Sequence, residues 1–393
     1  MIDWSGLEAR NAPLNALIEL DRSAAFGVGP LSGLTIGVKS NIAVAGLPWT
    51  AGMAAFRGRI ATEDASTVAA LRAAGAAIIG TLNMEEAALG ATTDNPWFGA
   101  THNPHGVGYS PGGSSGGSGA AVAAGLCDAA LGTDTLGSVR IPASYCGIYG
   151  FKPAQAAVSQ HGFELTEPSF DVIGPMARSL DILESVARVM SVFGAGAANP
   201  HPPITIKDLG GVECTPDVLR TFARARSHLG PVDEHPLFHP LTRVRFAAFI
   251  ATTRAMSAHF ASLDPELLSP NLRKLLKYGT ARSAENWADD QRILAATANS
   301  VRELVAEHGI IMLPTAPQPA FRHGDPAPAN QADLTCLASI AGLPAVSLPG
   351  GWTENRLPIG IQLVGQVGHE AGLFAVARRL DSQLKGYAPP EQF

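Results

Sequence analysis

Residues Pro111-Gly112-Gly113-Ser114-Ser115-Gly116-Gly117-Ser118, with Gly132-Thr133-Asp134-Thr135-Leu136-Gly137-Ser138-Val139-Arg140-Ile141-Pro142 after them, decide how this chain folds. Taken alone, the first stretch is a flexible loop or an anion cradle. The second, alone, is a loop carrying an Asp134–Arg140 ion pair. Short apolar runs surround them at Leu34–Val38, Ala77–Gly80, Ala129–Gly132, Ile148–Phe151 and Val172–Pro175. These read as strands. Helical spacing recurs between them: Val68, Leu71 and Ala74 behind an Asp64 N-cap, then Asn83–Leu89, Ala120–Gly125 and Leu180–Val192. Toward the C-terminus, Ile310–Pro314, Ala345–Leu348 and Ile359–Val364 read as strands, and Ala332–Ala341 and Glu370–Leu380 as helices. Such alternation predicts an α/β fold. The region at about 194–300 is more polar and reads as several helices, with one or two long ones over Tyr278–Leu304. No repeat and no polar linker interrupts the chain. The expectation is one domain over 1–393 with a more variable helical region inside it.

Composition narrows the function classes. Of 393 residues, 46% are hydrophobic and 16% charged, which suits a large Gly- and Ala-rich core. The net charge is −6, with no basic run or Lys/Arg stripe, so nucleic acid is not the expected partner. No apolar stretch reaches the ~20 residues that span a bilayer, and the first residues lack a secretory pattern. Four scattered cysteines show no metal spacing and read as reduced thiols. A cytoplasmic protein without membrane contact is expected.

A third segment, Gly37-Val38-Lys39-Ser40-Asn41, puts a lysine at the end of an apolar strand. By itself it is a solvated strand end. With the two serine loops it gains a chemical meaning. A serine hydroxyl is a weak nucleophile that needs a base beside it. A lysine can be that base if burial keeps its amine neutral near pH 7. A second serine can carry the proton between them, and Ser–Lys variants of the serine triad recur on unrelated folds. Glycines on both loops let backbone N–H groups approach an oxyanion.

The GGSSGGS run, followed by GTDTxGSVRIPASYCGIYGFKP, resembles the amidase signature family, with Ser114 and Ser138 separated as its pattern requires. The likeness extends to Leu34–Asn41, Ser169–Arg178, Leu313–Pro319 and Gly342–Leu363. It implies a large twisted mixed β-sheet flanked by helices on both faces. It also implies that Ser138 is the nucleophile, that Ser114, beside a cis peptide, relays protons, and that Lys39 is the general base. Backbone N–H groups of Thr135, Leu136, Gly137 and Ser138 would form the oxyanion hole. Ser115, Asp134 and Arg140 would support the loops, and Met84, Glu85, Leu136 and His161 are candidate pocket residues. No metal or organic cofactor is implied.

One departure stands out. Leu136 occupies a position that is usually glycine in the family. If that position needs a positive φ, leucine is strained there; if not, its side chain shapes the pocket. Lys39 lies near the start of the chain, so the long N-terminal helices of many members are not expected. The likeness points to the short branch with indoleacetamide- and malonamidase-type enzymes, which act on small primary amides, with a homodimer allowed by family habit. The runner-up is a urea-like substrate of the carboxybiuret or allophanate type, because Ala91–Asn95 resembles that loop. An inactive docking protein is a further alternative. The amidotransferase subunit that makes glutaminyl-tRNA is disfavoured by the chain's length and by its lack of a basic surface.

Overall fold

Residues 2–197, 202–230 and 232–393 of the computed structural model build a nine-stranded mixed sheet. The expected helical region at about 194–300 is thus described except at 198–201 and 231. The strands are β1 (Leu17–Leu20), β2 (Thr35–Lys39), β3 (Ala77–Leu82), β4 (Ala129–Asp134), β5 (Tyr149–Lys152), β6 (Val172–Ala177), β7 (Ile311–Pro314), β8 (Ala345–Trp352) and β9 (Pro358–Val364). Their order across the sheet is β1-β3-β2-β4-β6-β5-β8-β9-β7. β2 runs parallel to β3 and β4, and the other pairings are antiparallel.

Both faces of the sheet are covered, as the period-2 alternation of a strand requires. Ile78 and Leu131 enter a large core shared with α2 (Ser66–Ala73) and α5 (Leu180–Met190). Their neighbours Ile79 and Ala130 enter a second core with α1 (Trp4–Asn11) and α3 (Gly116–Ala123). The strand centres are therefore apolar on both sides, which explains why they read as continuous hydrophobic runs.

After α4 (Arg140–Tyr145), the variable region contributes α6 (Pro216–Ser227), α7 (Leu241–His259), α8 (Pro270–Thr280) and α9 (Ala284–His308). The break between α8 and α9 is sharp, because Ser283 caps α9 by accepting from the Asn286 N–H. α10 (Cys336–Ile340) and α11 (Glu370–Leu384) complete the chain.

Four local readings are corrected. Asp64 does not cap α2. Ala65 holds that position, while the Asp64 carboxylate accepts from the Ala45 N–H and Arg72 Nε. The helix expected over Asn83–Leu89 is a single 3-10 turn, Glu86–Ala88, because Ala87 and Ala88 adopt left-handed φ values of 53° and 58°. The Gly/Ser run is not a loop throughout, since α3 begins at Gly116. A Cβ on Gly117 would lie 2.3 Å from Asn83 O, so only glycine lets this helix start against that backbone. The helix expected over Ala332–Ala341 is confined to Cys336–Ile340. Neither α1 nor β1 was apparent in the sequence.

Candidate active site

Lys39 ends β2, and the Ser138 loop leaves the neighbouring parallel strand β4, so both lie at the carboxyl end of adjacent strands. Open α/β sheets place ligand crevices there. The Lys39 side chain is fully buried. Its Nζ lies 2.7 Å from Ser114 Oγ and 2.7 Å from Thr133 Oγ1. Burial lowers the amine to about 7, against the opposing pull of Asp171, Asp134 and Glu85. A lysine in this state exchanges a proton readily near neutral pH.

Ser114 follows a cis Gly113–Ser114 peptide and is fully buried. Its carbonyl accepts from the Glu85 N–H at 3.0 Å. The Ser115 hydroxyl bridges to β4, donating to Thr133 O and accepting from the Thr133 N–H, each at 3.2 Å. It thus ties the start of α3 to the strand that delivers Ser138.

Arg140 and Asp134 form a fully buried bidentate pair, with Nε–Oδ2 3.0 Å and Nη2–Oδ1 2.9 Å. Arg140 also reaches Thr335 O, Gln362 Oε1 and Ser339 Oγ. Burial alone would raise the Asp134 carboxyl, but the guanidinium holds it below the usual carboxylate range. Asp134 Oδ1 also accepts from the Gly137 N–H at 2.8 Å. This corrects the expected donor set for an oxyanion. The Gly137 N–H is committed to Asp134, leaving those of Thr135, Leu136 and Ser138 as the candidates.

Gly137 has φ +138°, and an added Cβ would lie 2.3 Å from Thr335 Oγ1. Leu136 is outside the left-handed region, so no strain attaches to it. Thr335 Oγ1 donates to its carbonyl at 2.6 Å, and its side chain faces a cavity of about 490 Å³. Thr135, Leu136 and Ser138 all line that cavity, and α7 and α8 supply Phe246, Phe249, Leu275 and Tyr278 to its walls. The variable helical region therefore closes the space above Ser138. Among the described residues, no hydrogen bond joins Ser114 to Ser138.

Two expected pocket residues lie elsewhere. Met84 is fully buried outside the cavity lining, with its side chain against Gly52. His161 is largely solvent-exposed, 3.3 Å from Glu63. Glu85, expected in the pocket beside Met84, does line the cavity, whereas Thr133, Asp171 and Arg245 were not singled out from the sequence. Thr133 contacts Lys39. Glu85 Oε2 accepts from Thr92 N, Thr92 Oγ1 and Thr93 N, and burial raises its carboxyl. Asp171 accepts from Thr135 Oγ1 at 2.5 Å, and burial raises it too. Arg245 enters the cavity from α7. Asp171 lies within the quoted stretch Ser169–Arg178 and was within reach, whereas a lone arginine in a polar helix gives no signal.

Among the described residues, no group of three or more His, Cys, Asp or Glu side chains could hold a metal, and no helix is long and apolar enough to cross a membrane. A profile of the Amidase family matches residues 8–197 and 214–374. This chain belongs to the amidase signature family. It is an enzyme acting on amide C–N bonds. The chain is 34% identical to a glutamyl-tRNA(Gln) amidotransferase subunit from Methanospirillum hungatei, over 90% of this chain and 93% of that relative. Among solved structures, a chain from an inhibitor-bound vestigial protein complex that reveals the evolutionary origins of an s-triazine catabolic enzyme superposes with TM-score 0.90 at 27% identity, covering 98% of this chain and 94% of that one. The glutamyl-tRNA(Gln) amidotransferase subunit of the same kind from Thermotoga maritima gives 0.87 at 25%, covering 98% and 93%. Because this chain spans most of those amidotransferase subunits, its length does not disfavour that reading.

Proposed function

We propose that this amidase hydrolyses a small carboxylic amide to acid and ammonia through an acyl-enzyme on Ser138. The observation that carries this reading is the buried Lys39 amine, 2.7 Å from Ser114, at the end of the strand beside the one that leads to Ser138 in the cavity wall. Ser138 Oγ attacks the amide carbon as its proton passes to Ser114 and that of Ser114 to neutral Lys39. The tetrahedral oxyanion accepts from the N–H groups of Thr135, Leu136 and Ser138. Lys39, through Ser114, then protonates the leaving nitrogen, and the C–N bond breaks to release ammonia. Water attacks the ester by the same relay in reverse, freeing the acid. The relay requires a Ser114–Ser138 hydrogen bond to form when substrate fills the cavity, as catalytic contacts often do.

The test is ammonia release across indoleacetamide, phenylacetamide, malonamate and biuret-like compounds, with Ser138→Ala as the blank. Fluorophosphonate labelling of Ser138 runs alongside. Turnover of simple amides with labelling lost in Ser138→Ala supports the reading, and turnover of urea-like compounds alone replaces the substrate class. Neither turnover nor labelling would favour an inactive docking protein.

A second reading rests on the 34% identity to an amidotransferase subunit. In it, ammonia released from glutamine is consumed on a charged tRNA by partner subunits. Glutamine hydrolysis that is negligible for this chain alone and rises on adding those subunits with Glu-tRNA(Gln) would favour it over free hydrolysis.

A further inference from the structure

Among the described residues that line the Ser138 cavity, Arg245 is the only cation. It projects from α7, and its Nε donates to Asp333 Oδ1 at 2.8 Å. Asp333 is fully buried and comes from the segment just before α10, so the pair joins two separate parts of the cavity wall. This bond uses one of the five guanidinium N–H donors. Among the described residues, Arg245 has no other hydrogen bond, and its side chain keeps 21% exposure. The cavity's other charged side chain, Glu85, has Oε2 held by Thr92 and Thr93 and forms no ion pair with Arg245. Leu136, Phe246 and Leu275 make much of the remaining wall apolar.

A guanidinium with two free terminal nitrogens, set in an apolar wall and braced at Nε, is built to receive a planar anion. Its fork matches a carboxylate with two parallel hydrogen bonds. Because Asp333 already fixes the side chain, binding there loses little rotamer freedom. We propose that Arg245, held by Asp333, anchors the carboxylate of a primary amide whose acyl group ends in an acid. The amide end then lies at Ser138 and the methylene chain along the apolar wall. This rests on the hydrolytic reading of the same cavity and names its substrate class.

The test compares monoamides of dicarboxylic acids, from malonic to suberic, with neutral amides of equal chain length. The wild-type enzyme prefers one acid-bearing length. Arg245→Gln raises KM for that substrate about 10- to 100-fold more than it raises KM for the neutral amide, as loss of a charge-assisted hydrogen-bonded pair would. Arg245→Lys, which keeps the charge without the fork, falls between them and carries the test if the glutamine variant does not fold. Equal losses for acid and neutral amides would make Arg245 a structural strut and overturn the proposal, as would a wild-type preference for neutral amides.

Calorimetric binding to Ser138→Ala separates the two readings. Binding of the monoamide that depends on Arg245, without turnover by the wild type, keeps the anchor and removes the hydrolytic reading. Turnover of neutral amides, with monoamide binding indifferent to Arg245, removes the anchor alone.

Discussion

The amine of Lys39 lies 2.7 Å from the hydroxyl of Ser114, although 75 positions separate them in the chain. Burial favours a neutral, proton-accepting lysine and outweighs the opposing pull of the nearby carboxylates of Asp171, Asp134 and Glu85.

Because burial brings Lys39 to about 7, kcat/KM should rise with pH through that value and level off above it. Below about 7 the lysine is protonated and cannot take the Ser114 proton. Lys39→Ala should lose at least about 100-fold on the high-pH plateau, as loss of a general base does, with the gap narrowing as pH falls and wild-type Lys39 becomes protonated. A pH–rate profile of wild type and variant checks both; retention of most activity by the alanine variant would refute the base assignment.

Asp171 opposes the lowering of the Lys39 amine and receives the Thr135 hydroxyl. Asp171→Asn removes a negative charge, so the acid limb of the same profile should move to lower pH. A purely structural loss would instead reduce the plateau without moving the limb.

Arg140 neutralises Asp134 in a site closed to water. Arg140→Met should destabilise the protein by about 3–5 kcal/mol by leaving a buried carboxylate uncompensated. The urea midpoint should fall accordingly. Since the Asp134 carboxyl is held below its usual range, the pair's contribution is complete above the ordinary carboxylate pKa. It fades as pH falls through the depressed value.

Ser115 bonds both the N–H and the carbonyl of Thr133. Ser115→Ala should cost about 1–3 kcal/mol of stability by leaving buried groups without partners. It should retain much more activity than Ser114→Ala. Thermal unfolding and ammonia release measured on the same preparations separate the two effects.

Leu136 projects into the cavity without backbone strain. Leu136→Ala should therefore change selectivity rather than rescue the fold. Bulky amides should gain relative to small ones by about 10-fold or more in kcat/KM, the scale of pocket discrimination by one or two methylenes. An unchanged ratio across an amide series would show that Leu136 does not bound the substrate.

The sequence by itself determined the α/β class, the central strands and the segments that carry Lys39, Ser114 and Ser138. Apolar runs and helical periodicity are local signals, and the motif residues recur in fixed order. Local signals erred where a distant partner decided the outcome. Asp64 left the expected cap for Arg72 and the Ala45 backbone. The Gly/Ser run became helical because it packs against Asn83. The tertiary structure alone fixed which N–H groups near Ser138 stay free, because Asp134 takes that of Gly137. It alone excluded His161 from the cavity and brought in Arg245, whose partner Asp333 is 88 positions away. The physical reason is common to these cases. Burial and cavity shape come from groups far apart in sequence, as Arg245 and Asp333 are, and even between near neighbours such as Asp134 and Gly137 or Asp64 and Arg72 the backbone path set by the whole fold decides which groups meet.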